Sequence, residues 1–285
     1  MTRSEIDEIL APGAIVPVYQ PIVRIQDRHI IGYEALARFP RASVQRPPDE
    51  WFARADVHGL RLDLEVACWN AIAEAGPPPD GGMLFVNTSP ATLVDRRLEA
   101  VRGRLPARLV IELTEQEAVA DYELLRRRLQ RWSNQGVRLA IDDTGAGYSS
   151  LRHVLQLSPE FLKIDRSIIS GVDADRSRRA LVWSLVAFAR EVGATVIAEG
   201  VERQAELHVL EDAGVSLAHR GGCSGVPARL GFPSTSPSAT PRQRPAGHGR
   251  RTVRAPAGSI VRSRRRSTPS APPTRRASTC SGWVR

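Results

Sequence analysis

Two adjacent carboxylates at the end of an apolar run are the residues in this chain that most suggest chemistry. Leu139–Ile141 can form a buried strand, and Asp142 and Asp143 follow it directly, before a glycine-rich turn. Neighbouring Asp charges repel each other and lose hydration on burial unless a cation or hydrogen bonds offset them. Carboxylates suit hard cations such as Mg²⁺ and Mn²⁺, and a carboxylate shared by two ions is typical of displacement at phosphorus. The alternative interpretation is an Asx turn that closes the strand.

Two further charged residues lie inside apolar segments. Glu112 interrupts a predicted strand, where a carboxylate must face the interior of the fold. Lys163 is the only lysine of the chain, which otherwise uses arginine for every positive side chain. A lysine at this position indicates a need for a compact ammonium group. The alternative is a buried ion pair between Lys163 and Asp165 without a catalytic purpose.

Three more polar residues are found at or near predicted strand ends, and each has an ordinary alternative. Glu34 could be a strand residue paired with Arg38, and Glu199 a solvated loop residue. Asn87 could cap the next helix, although Ser89 serves that role at least as well. Taken together, six independent coincidences at strand ends would be required, so the pattern favours one shared site.

The predicted elements alternate between strand and helix from Val16 to about Gly214, which is typical of parallel strands with helices outside. The seven predicted strands are Val16–Ile25, Ile31–Phe39, Met83–Thr88, Leu109–Thr114, Leu139–Asp143, Phe161–Ile164 and Thr195–Glu199. The six predicted helices are Trp51–Ala75, Pro90–Arg104, Tyr122–Gln135, Ser149–Leu157, Arg176–Val192 and Arg203–Ala213. Carboxyl ends of parallel barrel strands converge on one face, so distant residues form one oxygen-rich constellation there.

The net charge of +9 is unevenly distributed. Residues 219–285 contain fourteen arginines and no acidic residue, which leaves −5 for the preceding 218 residues. We predict an N-terminal extension (1–15), a folded domain (16–218) and a disordered tail (219–285) rich in Arg, Pro and Ser. Polyanion binding by this tail is a further interpretation, whereas the acidic body gives no sign of specific nucleic-acid binding.

Cysteine usage and hydropathy favour a cytoplasmic protein. The three cysteines form neither a disulfide framework nor a CxxC metal site. The N-terminus lacks the apolar segment of a signal peptide, and the longest apolar stretches are too short to span a bilayer. We therefore expect neither secretion nor a membrane partner.

The ordered motifs resemble the EAL-domain family of cyclic-di-GMP phosphodiesterases, over about residues 18–218. The motifs that carry the resemblance are Tyr19-Gln20-Pro21-Ile22, Glu34-Ala35-Leu36 with Arg38, Asn87-Thr88-Ser89-Pro90, Glu112-Leu113-Thr114-Glu115, Asp142-Asp143 with its glycine turn, Lys163-Ile164-Asp165 and Ala198-Glu199-Gly200-Val201-Glu202. The resemblance implies an α/β fold, a TIM-like (β/α)8 barrel of the EAL type whose first strand is antiparallel to the others.

The resemblance also implies a reaction, in which two Mg²⁺ or Mn²⁺ ions help to open one phosphodiester of cyclic di-GMP and give linear pGpG. One ion would be held by Glu34, Asn87, Glu112 and Asp142, and the other by Asp142, Asp143 and Glu199. Lys163 would contact the attacking water and would form the catalytic set with Glu34 and Glu199. The implied substrate-binding residues are Leu36, Arg38 and Asp165, the last near a possible homodimer contact. The implied loop and dimer residues are Glu115, Gly145, Gly147 and Glu202.

The sequence departs from the family at two places. In the loop after Asp143, Thr144 and Ala146 replace the usual Phe and Thr, without changing an implied metal ligand. After Ala218 the family's final motif, which supplies the eighth strand and an active-site glutamine, is lost. We therefore expect the eighth strand to be missing or imperfect, which would leave an open barrel edge.

The lost motif is recoverable in another reading frame. One permitted coding sequence for Arg220–Pro227 (AGG GGT GGC TGT TCG GGC GTC CCG), read from its third base, encodes Gly-Trp-Leu-Phe-Gly-Arg-Pro. Our hypothesis is a frameshift near His219, either genuine or a sequencing error, and the coding DNA tests it. The functional expectation is a metal-dependent cyclic-di-GMP phosphodiesterase. The alternative is an impaired module that binds or regulates, or a non-functional frameshifted product.

Overall fold

The structure is a computed structural model. It describes residues 3–114, 119–145 and 149–220, and all the elements given below lie in these ranges. The strands there are β1 (Val16–Arg24), β2 (Ile30–Arg38), β3 (Met83–Thr88), β4 (Leu109–Leu113), β5 (Arg138–Thr144), β6 (Phe161–Ile164), β7 (Thr195–Val201) and β8 (Leu217–Arg220). The α-helices there are α1 (Arg3–Leu10), α2 (Pro48–Val57), α3 (Arg61–Ala75), α4 (Pro90–Val94), α5 (Arg96–Arg102), α6 (Tyr122–Ser133), α7 (Ser149–Leu157), α8 (Arg166–Ile169), α9 (Arg176–Val192) and α10 (Gln204–Ala213).

The strands form a closed barrel in which each strand pairs with its neighbours in chain order. All pairs from β2 to β8 are parallel, whereas β1 is antiparallel to both β2 and β8. The expected barrel and its antiparallel first strand are therefore confirmed. Because seven strands run in one direction, their carboxyl ends lie at the same mouth of the barrel.

The eighth strand is present, but it is only four residues long. Ile22 of β1 faces His219 on one side of β8, and Ile197 of β7 faces Leu217 on the other. The eighth strand is imperfect, as expected from the sequence. The expectation of an open barrel edge is wrong, because the barrel is closed. The reason is that Leu217 and Ala218 precede the position at which the family motif is lost, and these residues are sufficient to begin the pairing.

An apolar layer fills the barrel interior, and a polar layer lies next to it. The apolar layer contains Ile22, Met83, Phe85, Val110, Ala140, Phe161, Ile197 and Leu217. Side chains two positions apart on a strand point to the same face. Two positions after Phe85, Val110, Ala140, Phe161, Ile197 and Leu217 stand Asn87, Glu112, Asp142, Lys163, Glu199 and His219. The strand period therefore aims these six side chains into the barrel, towards its carboxyl mouth.

Gly32 allows β2 to lie close to β3 because it has no side chain. A Cβ atom at Gly32 would lie 2.6 Å from the carbonyl oxygen of Met83 and 3.0 Å from the ring of Phe85. A larger residue would therefore force β2 and β3 apart. Glu34 stands two positions after Gly32 and thus belongs to the polar layer.

Two of the predicted helices are each divided in the structure. The predicted helix Trp51–Ala75 is α2 and α3, separated at Gly59, whose φ of +66° is incompatible with a continued right-handed helix. The predicted helix Pro90–Arg104 is α4 and α5. Asp95 separates them because its extended backbone ends α4, while its side chain accepts a hydrogen bond from the Arg97 amide and caps α5.

The N-terminal helix α1 packs on a second apolar cluster beside the barrel. Ile6 and Ile9 are fully buried there, together with Trp51 and Leu64. The predicted domain boundaries stay predictions, and the predicted disordered tail lies outside the described residues from position 221 onward. In the described part of the chain, no helix is both long enough and apolar enough to cross a membrane.

Glu206 fixes the connections around α10. Its carboxylate accepts hydrogen bonds from the backbone N–H groups of Gly171 (3.0 Å), Glu202 (3.1 Å) and Arg203 (3.0 Å). Burial alone raises the pKa of this carboxyl, but these donors and the Arg203 guanidinium outweigh burial and hold the pKa below its ordinary value. The ionised carboxylate therefore stabilises the end of β7 and the start of α10.

Candidate active site

Lys163 lies at the centre of a buried group of carboxylates at the mouth of the barrel. Its Nζ is 2.7 Å from Glu199 Oε1, 2.9 Å from Glu112 Oε1, 3.2 Å from Asp142 Oδ1 and 3.6 Å from Glu34 Oε2. We call Glu34, Glu112, Asp142, Asp143 and Glu199 the carboxylate cluster. The fold thus unites acidic residues of β2, β4, β5 and β7 around one ammonium group on β6.

The ammonium form of Lys163 is strongly favoured. Burial lowers the pKa of a lysine, but the carboxylates of Asp142, Glu112, Glu199 and Glu34 outweigh burial and raise the pKa of Lys163 well above its ordinary value. Lys163 is therefore a hydrogen-bond donor and a fixed positive charge at neutral pH, not a base.

Three members of the carboxylate cluster have raised pKa values. Burial is the largest cause for each. The charge of Glu34 further raises the pKa of Glu112, which is held well above its ordinary range despite Lys163. For Asp142, burial and the charges of Glu199 and Glu34 outweigh Lys163 and raise the pKa to about 6. The pKa of Glu199 is raised as well. One ammonium group therefore does not compensate for so many buried carboxylates.

Glu34 is the member whose ionised form has the most support. Burial raises its pKa, but Lys163, His219 and the Asn87 amide together outweigh burial and lower the pKa. The Asn87 Nδ2 donates a hydrogen bond to Glu34 Oε1 at 2.7 Å. This contact holds the side chains of two adjacent strands, β2 and β3, in one orientation.

An irregularity in β5 allows two consecutive residues to join one cluster. Successive side chains of a regular strand point to opposite faces. The register of β5 against β6 shifts between Ile141 and Thr144, and Asp143 has a φ of +52°. This left-handed conformation costs energy in a residue other than glycine. The Asp143 amide donates to Asp142 Oδ1 at 2.9 Å and offsets part of that cost.

The donor set fits divalent cations. Carboxylate oxygens of Asp142, Asp143 and Glu199 lie within 4.8 Å of one another. The carboxylate cluster holds five acidic side chains, four of them within 3.6 Å of the single lysine, so its ionised form carries an excess of negative charge. Oxygen donors of this kind are the ligands that hard divalent cations prefer, and a cation would remove the excess charge. The chemistry of these residues therefore fits a bound divalent cation.

A cavity of about 320 Å³ adjoins the carboxylate cluster through Asn87. It lies between the ends of β2 and β3 and the helices α2 and α3. Two predicted substrate-binding residues, Leu36 and Arg38, line it together with Phe52. The volume is within the usual range for small-molecule sites, and its walls combine apolar groups with a guanidinium.

The remaining predicted site residues have separate surroundings. Asp165 caps α8 by accepting a hydrogen bond from the Ser167 amide at 2.9 Å. Glu202 forms an exposed ion pair with Arg166 at 2.7 Å. Their predicted roles in substrate and dimer contacts stay predictions. Glu115 and Gly147 lie outside the described residues.

Gly145 follows the two aspartates and requires glycine. Its φ is +99°, a conformation that residues with a Cβ atom rarely adopt. A Cβ atom at this position would lie 2.6 Å from the Ile168 side chain and 3.1 Å from Leu185. Gly145 therefore packs closely on α8 and α9.

His219 belongs to the polar layer, and our reading of the sequence missed it. Its Nε2 lies 3.3 Å from Glu34 Oε2, and burial is the main cause that lowers its pKa. The spacing that places Asn87 two positions after Phe85 also places His219 two positions after Leu217. The same spacing predicts an inward-facing His219 if Leu217–Arg220 is assigned as a strand.

Comparisons with known proteins match this chain to one family. The family model of the EAL domain matches residues 3–219. The chain is 31% identical over 211 residues to PdeG of Escherichia coli, named as a probable cyclic di-GMP phosphodiesterase, and the match covers 70% of this chain and 42% of PdeG. The chain spans only about a quarter to two fifths of the length of the first curated relatives that it matches.

Solved structures show the same barrel. The MucR phosphodiesterase in complex with c-di-GMP is 28% identical, with a TM-score of 0.66, and the match covers 76% of this chain and 93% of that one. BlrP1 of Klebsiella pneumoniae, in a complex with manganese and cyclic di-GMP, is 29% identical, with a TM-score of 0.64. That match covers 73% of this chain and 55% of BlrP1.

Proposed function

The chain belongs to the EAL domain family, and from this premise we propose that it is a divalent-metal-dependent phosphodiesterase that converts cyclic di-GMP to linear pGpG. The observation that carries the proposal is the carboxylate cluster around Lys163. Four carboxylates lie within 3.6 Å of the Lys163 ammonium group, at the barrel mouth and next to an open cavity. A structural ion pair needs one carboxylate, so the excess of acidic groups favours a role in binding cations.

The metal ligands would fall into two overlapping sets. Glu34, Asn87, Glu112 and Asp142 would hold one Mg²⁺ or Mn²⁺ ion, and Asp142, Asp143 and Glu199 would hold the second. Bound divalent cations supply Lewis acidity at the phosphoryl group and acidify water. The irregular backbone of β5 allows the shared ligand Asp142 and its chain neighbour Asp143 to face the same cluster.

Lys163 would orient the attacking water and offset charge on the phosphodiester. It does not remove the proton, because its raised pKa keeps it in the ammonium form. The oxygen of water bonds to phosphorus, and the bond from phosphorus to the 3′ oxygen breaks. The leaving oxygen takes a proton, and the product is a linear dinucleotide with a 5′ phosphate.

The cavity beside Asn87 would accept part of the nucleotide. Arg38 has the forked guanidinium that recognises phosphate oxygens, and Leu36 and Phe52 supply apolar contacts for a ribose or base. The cavity is only about 320 Å³, so the rest of a cyclic dinucleotide would extend over the mouth of the barrel. A homodimer stays a prediction that this site does not require.

The test is turnover by the purified full chain. Cyclic di-GMP is incubated with Mg²⁺, Mn²⁺ or a chelator, and pGpG is measured by chromatography. We expect metal-dependent product, its loss in Glu34→Gln, and no change in Glu123→Gln, an exposed carboxylate on α6. Product formed equally by Glu34→Gln would contradict the proposal, as would turnover in chelator.

The alternative is a module that binds cyclic di-GMP without hydrolysing it. The observation in its favour is the four-residue β8, which ends where the family motif is lost. Calorimetric binding of the nucleotide without product in any metal would support this alternative. A chain with the reading frame restored after Ala218 is the control, since activity only in that chain would locate the defect in the last barrel segment.

A further inference from the structure

His219 brings a nitrogen donor into a cluster whose other ligands are oxygen atoms. Its side chain is 8% exposed, and its Nε2 faces Glu34 Oε2 at 3.3 Å. The Nε2 atom is buried, and it makes no hydrogen bond to any of the described residues. A buried imidazole nitrogen that is aimed at carboxylates without a hydrogen-bond partner is a candidate ligand.

The geometry brings three donors of this kind together. One donor atom each from Glu34, Glu199 and His219 lie within 4.8 Å of one another. Glu199 also belongs to the oxygen-only group with Asp142 and Asp143, so the two groups share one carboxylate. The barrel produces this arrangement because β8 lies between β7 and the antiparallel β1, whose Gln20 is paired with Glu34.

We propose that Glu34, Glu199 and His219 form a mixed nitrogen and oxygen site for a borderline divalent transition metal, with Zn²⁺ as the expected occupant. Imidazole suits Zn²⁺, whereas sites for Mg²⁺ and Mn²⁺ favour carboxylate, carbonyl and water ligands. Two carboxylates and a histidine, with an open position for water, are also a usual ligand number for zinc in enzymes. The inference concerns the same cluster as the proposed function and rests on that cluster being a metal centre.

The surrounding charges are compatible with such an ion. Two carboxylates and a neutral imidazole neutralise one divalent cation. Lys163 would retain Glu112 at 2.9 Å and Asp142 at 3.2 Å as its partners. The ammonium group would thus stay compensated, which is required of a buried charge.

The first experiment measures Zn²⁺ binding to the full chain by competition with a chromophoric chelator. We expect His219→Gln to weaken Zn²⁺ binding at least about tenfold, because loss of an outer-shell partner alone typically costs about 10–100-fold. We expect the Mg²⁺ affinity to change far less. His208→Gln is the matched control, since His208 lies on the surface helix α10 and contacts Gln204. Equal Zn²⁺ affinity in wild type and His219→Gln would overturn the proposal.

The second experiment needs no variant and therefore does not depend on the folding of His219→Gln. X-ray absorption of the wild-type chain, loaded with one equivalent of Zn²⁺, reports imidazole scattering directly. One imidazole in the zinc coordination shell is expected, and a shell of oxygen atoms alone would overturn the inference. Both readouts are independent of turnover, so a chain that hydrolyses cyclic di-GMP with Mg²⁺ but binds Zn²⁺ only through oxygen refutes this inference and leaves the proposed function intact.

Discussion

Asp142→Asn is expected to stabilise the metal-free protein at pH 8 while removing its response to metal. Burial and neighbouring carboxylates raise the pKa of Asp142 from an ordinary 3.8 to about 6. A carboxyl with a raised pKa contributes stability below pH 3.8 that is lost as the pH rises through about 6. At about 1.36 kcal/mol per pH unit, ionisation of Asp142 then costs up to ~3 kcal/mol of folding free energy at pH 8.

The asparagine variant avoids this cost because its amide has nearly the same shape and carries no charge. A gain of up to ~3 kcal/mol corresponds to a rise in Tm of about 6–12 °C for a domain of this size. The assay is thermal unfolding from pH 5 to pH 8 in a chelator, with Asp212→Asn on the surface of α10 as the matched control. The advantage of Asp142→Asn should shrink towards pH 5, where the wild-type carboxyl becomes protonated.

Metal removes most of this difference in stability between the two proteins. A cation that binds only the folded state at one hundred times its Kd stabilises the wild type by about 2.7 kcal/mol. Asp142→Asn should lose most of this gain, because Asp142 is the ligand shared by both proposed ions. If Asp142→Asn is instead less stable than the wild type in chelator at pH 8, the ion pair with Lys163 outweighs the burial of Asp142 and the prediction is wrong.

Three other changes test separate parts of the structure. Lys163→Met should abolish turnover and cost about 3–5 kcal/mol in urea unfolding at pH 8, because it leaves buried carboxylates without their cation; an unchanged unfolding midpoint would contradict this. Glu206→Gln should lower stability by about 1–3 kcal/mol at pH 7. The pKa of Glu206 is lowered in the folded state, so this difference is present above about pH 4.5 and is lost as the pH falls further, which unfolding at pH 3 and pH 7 would check. Gly145→Ala should cost about 1–3 kcal/mol of folding free energy because of the positive φ at this position and the contact with Ile168. Thermal melting followed by circular dichroism measures this loss, and an unchanged Tm would contradict the prediction.

The polar layer was predictable from the sequence because it depends on local alternation. Glu112 and Lys163 interrupt apolar strands at positions that must face the interior, and the strand period alone places both in the barrel. The helix break at Gly59 was harder to predict from the sequence, because an isolated glycine in a helical pattern is often tolerated. Asp95 carries the signal of a helix cap, but the apolar pattern on either side of it continues and concealed the break.

Features that depend on long-range strand pairing were the hardest to predict from the sequence. β8 has only four residues, and its existence depends on hydrogen bonds to β1, about two hundred residues earlier in the chain. His219 was missed for the same reason, since its direction is fixed only when β8 is paired. The left-handed backbone of Asp143 also accompanies the register shift between β5 and β6, and an aspartate at that position does not by itself predict this conformation.

The choice of lysine at position 163 follows from the space available inside the barrel. The other 39 of the chain's 40 basic residues are arginines, so composition alone would favour arginine here as well. A guanidinium is planar and presents its donors in a fixed fork, whereas an ammonium group is compact and donates in three directions. Nζ lies within 3.6 Å of carboxylates from four different strands, above an interior layer already filled by Phe85 and Phe161. A compact cation meets carboxylates on several sides in that space, and because it stays protonated, the role we propose for it is to position reacting groups rather than to remove a proton from them.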